Sequence, residues 1–435
     1  MKRFLAIALG VFVFSTLSHA EVLGVYKMDS GTGWLEKSEP GNLILHLEGT
    51  YYDMGFEQGK LLTKECLETM RGAKAYVQRQ LWFIPYPILE KIFYREFKKA
   101  EPFMPEDFKQ EMKGLADAGG VPLEEVQALH MLIYIASCSA TAAFGPATKD
   151  GQLYQTRSLD FILTFIDPET KIPMQNNSLI VVYKPAGQVP YVTFSWPGVL
   201  GSVGGMNAKG ISVSEMSLPS KYETPAGLSM MWRIKQTLSK AENLDSAVLL
   251  MTQKPLEGGY LYMVGDGNIP SAVAIEMDAK KVYVGGWDGP AEKNSYRHWG
   301  KFYKYEPKPG LIVRTNHPLS AELIADYPVP LDLGNMKAMS GARYRDIKER
   351  DLKEYGSLDL VREMEIMREH YLAICNPDHQ GCAGSNYQAV FAPKSGDFLV
   401  SFAYGNPEIE GVFKISAWNQ PYHRYNLFEL LGRKP

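Results

Sequence analysis

The sequence has little cysteine and almost no net charge. It carries 4 Cys in 435 residues, which excludes a disulfide-dense scaffold, and 46 Lys+Arg against 49 Asp+Glu give a formal net charge of −3. This balance gives no electrostatic reason to expect a nucleic acid or an anionic membrane as partner. Because 45% of the residues are hydrophobic, the chain is neither disordered nor collagen-like and can bury a large core.

Long apolar runs are also absent, except for a short one at the N-terminus. Met1-Lys2-Arg3 precedes the apolar stretch Phe4–Phe14, and Ser18 and Ala20 are small residues at the −3 and −1 positions of a cleavage site. This run is too short to span a bilayer, and no later run of about 18 uncharged apolar residues follows. The pattern predicts a signal peptide over 1–20 and an exported protein, periplasmic or secreted, without an integral membrane segment; the alternative is a buried first helix or strand.

The secondary-structure pattern changes at about residue 137. Residues 42–47 predict a strand, and from there to about 137 apolar residues recur three or four apart, as in a helical cap. Beyond Cys138, short β-branched and aromatic runs alternate with turn residues and some helical stretches. This order predicts an α+β fold, with a mostly helical segment over 21–137 and a mixed-sheet domain over 138–435.

The most informative stretch is a predicted hairpin that begins at Cys138. Lys149-Asp150-Gly151 forms its turn, and the strand Leu153–Leu159 returns antiparallel. Folding about this turn brings Arg157 and Asp160 toward Cys138. The arginine charge lowers the pKa of a nearby thiol, and the carboxylate can orient the arginine or an amine close to the cysteine.

No histidine is well placed by the sequence to act as a base for Cys138. His130 lies eight residues upstream in a helical pattern, where a packed side chain is the better interpretation. If the Ser137–Cys138 bond is cut, however, the freed α-amino group, with a reference pKa of about 8, can accept the thiol proton. The residues thus fit autocleavage between Ser137 and Cys138 and an N-terminal cysteine nucleophile.

Six motifs occur in order along the chain: Gly49–Gly59, Gly114–Gly120, the Cys138 hairpin ending in Arg-x-x-Asp, Gly205–Ile211, Thr315–Pro318 and Ser340–Tyr344. Together they resemble the autoproteolytic family that includes acyl-CoA:6-aminopenicillanic acid acyltransferase, within the superfamily of choloylglycine hydrolases and penicillin V acylases. The resemblance implies a four-layer αββα sandwich over 138–435, the fold of N-terminal nucleophile hydrolases. The preceding segment would be a pro-segment that stays bound after cleavage as a small subunit, because its apolar helix face is buried.

The resemblance also implies roles around the nucleophile. Cys138 attacks the carbonyl, Asp160 orients its α-amino group, and Arg157 and Arg343 hold the thiolate and the local charge balance. The expected substrate is a small-molecule acyl amide or lipid, whose acyl group is cleaved off or transferred through an acyl-cysteine. No cofactor and no metal are implied.

Two asparagines are the implied oxyanion donors, through the backbone amide of Asn207 and the side chain of Asn316. Losing one such donor typically costs about 3 to 4 kcal/mol of barrier. Taken singly, Asn207 also fits a turn residue, Asn316 a loop residue and Arg343 a helix-surface cation. Their ordered occurrence behind the Cys138 hairpin favours the catalytic interpretation.

The remaining cysteines allow several interpretations. Cys375 and Cys382 bracket a turn-rich segment and could close a short disulfide loop in an oxidising compartment. With His370 and His379 they could instead be metal ligands, although their spacing fits no standard zinc pattern.

Two other functions stay open. One is a phospholipase B-like lipid hydrolase with the same nucleophile. The other is an exported binding protein in which Cys138 is a packing residue or is paired with Cys66. The sequence does not name the acyl donor or acceptor, but loops 164–175, 219–228 and 324–334 are candidate pocket walls.

Overall fold

The computed structural model describes residues 20–131, 137–333, 336–375, 382 and 384–435. Over these ranges two large β-sheets, of ten and six strands, face each other, and helices lie against both. None of the described helices is both long and apolar enough to cross a bilayer. The predicted signal peptide lies outside the described residues except for Ala20.

The ten-stranded sheet contains strands from both predicted segments of the chain. Its third and fourth strands pair in parallel, and its other neighbouring pairs are antiparallel. The order across the sheet is β1 (Glu21–Lys27), β2 (Thr32–Lys37), β3 (Leu43–Gly49), β6 (Leu179–Pro185), β7 (Tyr191–Ser195), β8 (Gly204–Asn207), β9 (Ile211–Ser217), β10 (Tyr260–Asp266), β11 (Ser271–Met277) and β12 (Val282–Gly285).

Among its described residues, the segment 21–137 contains the strands β1, β2 and β3 besides its helices. Only β3 was predicted, and β3 joins all three to the rest of the sheet through its parallel pairing with β6. The strand β1 is a largely exposed edge with glycine at position 24, and β2 begins with Thr32-Gly33. Neither carries the β-branched run that marks a buried strand, so local pattern did not reveal them.

The six-stranded sheet contains the predicted hairpin as its second and third strands. The order across it is β15 (Leu311–Arg314), β4 (Ser137–Gly145), β5 (Gly151–Asp160), β16 (Tyr387–Ala392), β17 (Asp397–Phe402) and β18 (His423–Asn426). The register of β4 and β5 pairs Ser137 with Asp160 and Cys138 with Leu159. A separate two-stranded sheet consists of β13 (Ser295–His298) and β14 (Lys301–Lys304).

Helices contact both sheets. In chain order they are α1 (Tyr51–Leu61), α2 (Thr63–Gln80), α3 (Tyr86–Ala100), α4 (Glu106–Gly119), α5 (Leu123–Leu129), α6 (Met230–Lys240), α7 (Leu244–Met251), α8 (Ala321–Ile324), α9 (Ser340–Lys353), α10 (Leu360–Ile374), α11 (Pro407–Glu410), α12 (Val412–Ile415) and α13 (Leu427–Gly432). The helices α6 and α7 contact strands β8 to β10 of the larger sheet, and α9 and α10 contact the smaller sheet. The strands β9 and β10 face β4 and β5, so the Cys138 hairpin lies against the larger sheet.

The first two glycine motifs act in helix packing. A Cβ on Gly55 would lie 2.0 Å from the Glu111 carbonyl oxygen, and one on Gly114 would lie 2.0 Å from that of Tyr52. The backbones of α1 and α4 therefore touch where only glycine fits. Gly120, with φ of 64°, ends α4 in the left-handed conformation.

Candidate active site

Cys138 is the second residue of β4 and is fully buried, with 0% of its surface exposed. Its thiol is free. Burial raises the pKa of this thiol to about 12, while the charge of Arg157 opposes the rise. In the uncut chain the thiol is therefore protonated at neutral pH, and nucleophilic chemistry here requires a base.

Arg157 lies on the same face of the hairpin as Cys138. The register pairs Cys138 with Leu159, and residues two apart in a strand share a face. The Arg157 Nη2 donates to Glu215 Oε2 at 3.1 Å, and its Nε donates to the Val203 carbonyl at 3.3 Å. Burial raises the pKa of Glu215 to about 7, with Arg157 opposing the rise. A buried cation–carboxyl pair thus lies beside the thiol.

Asn316 follows β15 and binds the backbone of Cys138. Its Oδ1 accepts hydrogen bonds from the Cys138 backbone nitrogen at 2.8 Å and from Arg343 Nη2 at 2.6 Å. Since Oδ1 accepts from two donors, the amide has one orientation, with Nδ2 donating to the Ser217 carbonyl at 2.7 Å. The nitrogen that would become the α-amino group is therefore held by a side chain from the loop that follows β15.

Arg343, in the first turn of α9, holds the other side of the same residue. Its Nη1 donates to the Cys138 carbonyl at 2.6 Å and to Ser139 Oγ at 2.9 Å. The resemblance implied that Arg343 helps to hold the thiolate. In the structure the guanidinium instead binds the Cys138 backbone and Asn316, while Arg157 is the cation at the thiol.

Asp160 lies opposite Ser137, on the other face of the sheet from Arg157. Its Oδ1 accepts from Ser158 Oγ at 2.8 Å, and its Oδ2 accepts from the Tyr371 hydroxyl of α10. Burial raises the pKa of Asp160, and Arg343 and these hydroxyl donors oppose the rise. The carboxyl group is thus close to the predicted cleavage point, as folding about the turn suggested.

Asn207 does not join this cluster, which corrects its expected place beside the nucleophile. Its Nδ2 donates to the carbonyls of Leu238 and Ala241 at 2.9 and 2.8 Å, and its Oδ1 accepts from the Lys209 and Ile211 backbone nitrogens. The strand β9 begins at Ile211, next to Asn207, and ends at Ser217, next to Asn316. The length of this strand places Asn207 roughly 20 Å from the residues around Cys138. It is a buried turn residue, the simpler interpretation of its glycine-rich surroundings.

Sequence reasoning missed Glu215 and Tyr371. Glu215 is the one charged residue in β9, whose other members are apolar or small, and a charge within a buried strand requires a partner. This rule could have found it. Tyr371 lies in a helical pattern that does not separate it from a packing residue, so only its hydrogen bonds distinguish it.

The other cysteines and His130 have structural roles. Cys375 and Cys382 form a disulfide with Cα atoms 5.6 Å apart, so the predicted loop is confirmed. As disulfide sulfurs, these two residues cannot be the thiolate ligands of the alternative metal site. The fourth residue of that set, His379, lies outside the described residues. Cys66 is a free thiol, so its pairing with Cys138 is wrong. The His130 Nδ1 lies 2.7 Å from the Val126 carbonyl, and its Nε2 accepts from the Leu200 nitrogen, as in a packed side chain.

A cleft with a volume of about 870 Å³ opens onto the polar residues around Cys138. Ser137, Asp160, Asn316 and Arg343 line it, together with residues of the loops 219–228 and 324–334. The third loop named from the sequence, 164–175, contributes instead to a smaller apolar cavity of about 40 Å³. Both spaces share Phe161, Ser217 and Tyr260, so the inner cavity adjoins the cleft next to Glu215.

No family model matches the chain. An uncharacterized protein of Archaeoglobus fulgidus is 25% identical over 375 residues, which are 77% of this chain and 59% of that protein. The N-acylethanolamine-hydrolyzing acid amidase of Rattus norvegicus is 27% identical over 203 residues, 45% of this chain and 53% of that protein. The chain thus spans between half and three fifths of the length of these curated relatives.

Among solved structures, the Caenorhabditis elegans N-acylethanolamine-hydrolyzing acid amidase ortholog is 15% identical, with 66% of this chain and 99% of that chain covered. The TM-score of this match is 0.38. The activity named among these matches is amide hydrolysis. Transfer to a second acceptor, which the motif resemblance included, is not represented among them.

Proposed function

We propose that this chain is an exported amidase that cleaves itself between Ser137 and Cys138 and then uses Cys138 as an N-terminal nucleophile on acyl amides. The observation that supports the proposal is the set of polar contacts around Cys138. Asn316 binds its backbone nitrogen, Arg343 binds its carbonyl, and Arg157 lies at its thiol. A merely packed cysteine does not need three polar side chains from three elements. Amide hydrolysis by the rat relative agrees with this chemistry.

The maturation step uses the same atoms. The Cys138 thiol adds to the Ser137 carbonyl, the C–N bond breaks, and the acyl group moves to sulfur while nitrogen takes up the proton. Water then cleaves the thioester, which leaves a Ser137 carboxylate and a Cys138 with a free amine and thiol. The 2.8 Å contact from Asn316 to that nitrogen keeps it beside the sulfur, and Asp160 lies where the new amine can be oriented.

Turnover then needs no histidine. The α-amino group accepts the thiol proton as sulfur attacks the amide carbonyl, the amine leaves with that proton, and water hydrolyses the acyl-cysteine. An amide nitrogen carries two hydrogens, and Asn316 Nδ2 donates to the Ser217 carbonyl at 2.7 Å and to Ser217 Oγ at 3.3 Å, so an oxyanion would take the place of the longer contact. Apolar walls such as Phe93, Phe161 and Leu218 suit an apolar acyl group.

The segment 21–137 stays bound after cleavage in this proposal, as a small subunit. It shares the ten-stranded sheet through β3 and β6, and a buried ion pair joins Glu111 of α4 to Lys235 of α6, each side chain 1% exposed. In this proposal the two facing sheets and the helices against them form an αββα sandwich, to which β1, β2 and β3 of the segment 21–137 also belong. Hydrolysis is the primary reaction, and an amine in place of water would make the same acyl-cysteine a transferase intermediate.

N-terminal sequencing and an acyl-substrate panel test the proposal. Purified wild-type protein is expected to contain two chains, the larger starting at Cys138, whereas Cys138→Ala gives one uncut, inactive chain. The wild type should release acid from N-acyl amides faster than from glycerophospholipids. An uncut but active wild type would defeat the mechanism, and activity on phospholipids alone would favour the lipid hydrolase.

A further inference from the structure

Asn316 is held through both its backbone and its side chain by the first turn of α9. Ser340 Oγ accepts a hydrogen bond from the Asn316 backbone nitrogen at 2.8 Å, and Arg343 Nη2 donates to the Asn316 side-chain Oδ1 at 2.6 Å. Residues three apart in a helix lie on the same face, so one helical turn can make both contacts. The place of Asn316 relative to Cys138 therefore depends on how Ser340 is itself fixed.

A histidine fixes the Ser340 hydroxyl. The ring of His317 is fully buried, with Nδ1 at 2.7 Å from Ser340 Oγ and Nε2 at 3.2 Å from the Tyr305 hydroxyl. Thr315 Oγ1 adds a hydrogen bond to the Ser340 carbonyl at 2.9 Å. The serine that accepts from Asn316 thus lies in a network of buried hydroxyl groups with an imidazole at its centre.

The network continues beyond Tyr305 and closes on the segment where it begins. The Tyr305 hydroxyl lies 2.7 Å from that of Tyr296, which donates to the Pro318 carbonyl at 3.0 Å. Pro318 directly follows His317 in the chain. The His317 ring is therefore held at both nitrogens, and turning it would break the hydrogen bonds at both ends.

His317 is neutral in this network. Burial and the charges of Arg314 and Arg343 lower the pKa of its imidazole to about 3. A neutral imidazole has one donating and one accepting nitrogen, and a hydroxyl can do either, so both tautomers allow a hydrogen bond to Ser340 and one to Tyr305. Because both nitrogens have protein partners, this ring does not take the part of the base for Cys138.

We propose that His317 is a positioning residue: through Ser340 it holds Asn316 where its side chain binds the Cys138 nitrogen. The inference rests on the proposed amidase function, and it adds two residues, His317 and Ser340, that act on the reaction through Asn316. The physical reason is that a serine hydroxyl has several staggered rotamers, and the hydrogen bond to His317 stabilises the one that faces the Asn316 nitrogen. A small shift of Asn316 would displace its Nδ2 donor from the oxyanion.

Kinetics of matched His317 variants test the proposal. His317→Phe keeps a ring without nitrogens, whereas His317→Asn retains an amide near the place of Nδ1 that can bond to Ser340. We expect His317→Phe to lower kcat on N-acyl amides by about ten- to hundredfold with KM within about threefold, and His317→Asn to recover most of this loss. His317 is not among the residues that line the cleft, so its effect on kcat has to be transmitted.

The coupling between the two residues is a second kinetic readout. Ser340→Ala should lower kcat by as much as His317→Phe does, and the double variant should lose little more than either single variant, since both changes break the same connection to Asn316. Additive losses would show that the two residues act separately and would overturn the proposal. All rates are measured on fully cleaved protein.

Hydrogen exchange of the Asn316 amide gives a readout that needs no turnover. In uncut Cys138→Ala, adding Ser340→Ala or His317→Phe should make this amide exchange at least about tenfold faster, whereas adding His317→Asn should not. His46→Phe is the control, because His46 is also fully buried but binds Glu36 at 3.2 Å between β2 and β3. It should leave both kcat and the exchange of the Asn316 amide unchanged.

The outcomes separate this inference from the amidase proposal. A kcat of His317→Phe within threefold of wild type, equal losses in His317→Phe and His317→Asn, or unchanged exchange at Asn316 would overturn the positioning role. Faster exchange in the variants, without amide hydrolysis by wild type, would support the hold on Asn316 and refute the amidase instead. If His317→Phe does not fold, Tyr305→Phe removes only the outer hydroxyl and should lower kcat about threefold with faster exchange at Asn316; no change in either would overturn the inference.

Discussion

The Tyr371 hydroxyl donates a hydrogen bond to Oδ2 of Asp160, so a residue of α10 holds a carboxyl group of the Cys138 hairpin. The Tyr371 ring stacks on Trp418 with centroids 5.4 Å apart, which fixes the hydroxyl in place. Since Asp160 lies opposite Ser137 in the strand register, this contact connects the helix layer to the proposed cleavage point.

Tyr371→Phe removes a donor that lowers the pKa of Asp160, so this pKa should rise. If the ionised carboxylate orients the α-amino group, the acid limb of the kcat/KM pH profile moves up by about one pH unit, the size expected for a hydrogen bond to a charged group. Tyr425→Phe, whose hydroxyl contacts Ser38 and Asn42 far from the cleft, is the control. An unshifted limb would show that Tyr371 only packs.

Asn316→Asp separates the two functions proposed for this amide. The variant keeps an oxygen that accepts from the Cys138 nitrogen and Arg343, but it loses the Nδ2 donor. We expect kcat to fall about 10²- to 10³-fold, the usual effect of removing one oxyanion donor. Activity within threefold of wild type, measured on fully cleaved protein, would exclude Asn316 as that donor.

Asn207→Ala should lower stability without lowering the turnover of folded enzyme. The substitution breaks side-chain hydrogen bonds to Leu238, Ala241, Lys209 and Ile211, all away from the cleft. Because buried backbone groups lose their partners, we expect a loss of about 2 kcal/mol in the free energy of unfolding, read from a denaturant titration. A large fall in kcat at a temperature where the variant is folded would instead restore Asn207 to the catalytic set.

Lys235→Met leaves the buried Glu111 carboxylate without its partner. Removing one member of such a pair costs about 3 to 5 kcal/mol, so the two cleaved chains should separate on size-exclusion chromatography in mild denaturant. Glu111→Leu combined with Lys235→Met replaces the pair by apolar groups and should recover most of the loss. If the two chains of the double variant separate as readily as those of the single variant, the ion pair is not what joins these helices.

The pH dependence of stability should follow the buried carboxyl groups of α9 and α10. Burial raises the pKa of Glu363 from 4.5 to about 7, and burial with the nearby Glu363 charge raises that of Asp351. Since the folded state binds these protons more tightly, the free energy of unfolding falls as pH rises from about 4.5 through 7, by about 3 kcal/mol for Glu363 alone. Glu363→Gln should flatten this slope in urea titrations, and an unchanged slope would contradict it.

Local pattern predicted a good part of this architecture. The helices of the first segment, the Cys138 hairpin with its turn, and the disulfide loop all follow from short-range periodicity, turn residues and cysteine spacing. The strands β1 and β2 did not, because their burial comes from sheet pairing and not from an apolar run of their own.

By itself, the sequence determined where the Cys138 strand begins and that Arg157 and Asp160 return to it, since a hairpin brings residues together within one short segment. Only the tertiary structure decided that these two side chains lie on opposite faces with different partners, and that Asn316 and Arg343 join Cys138 while Asn207 does not. Those contacts connect residues up to 205 positions apart along the chain, from β4 to α9. The physical reason is that long-range pairing depends on sheet register and helix packing, which no local motif encodes.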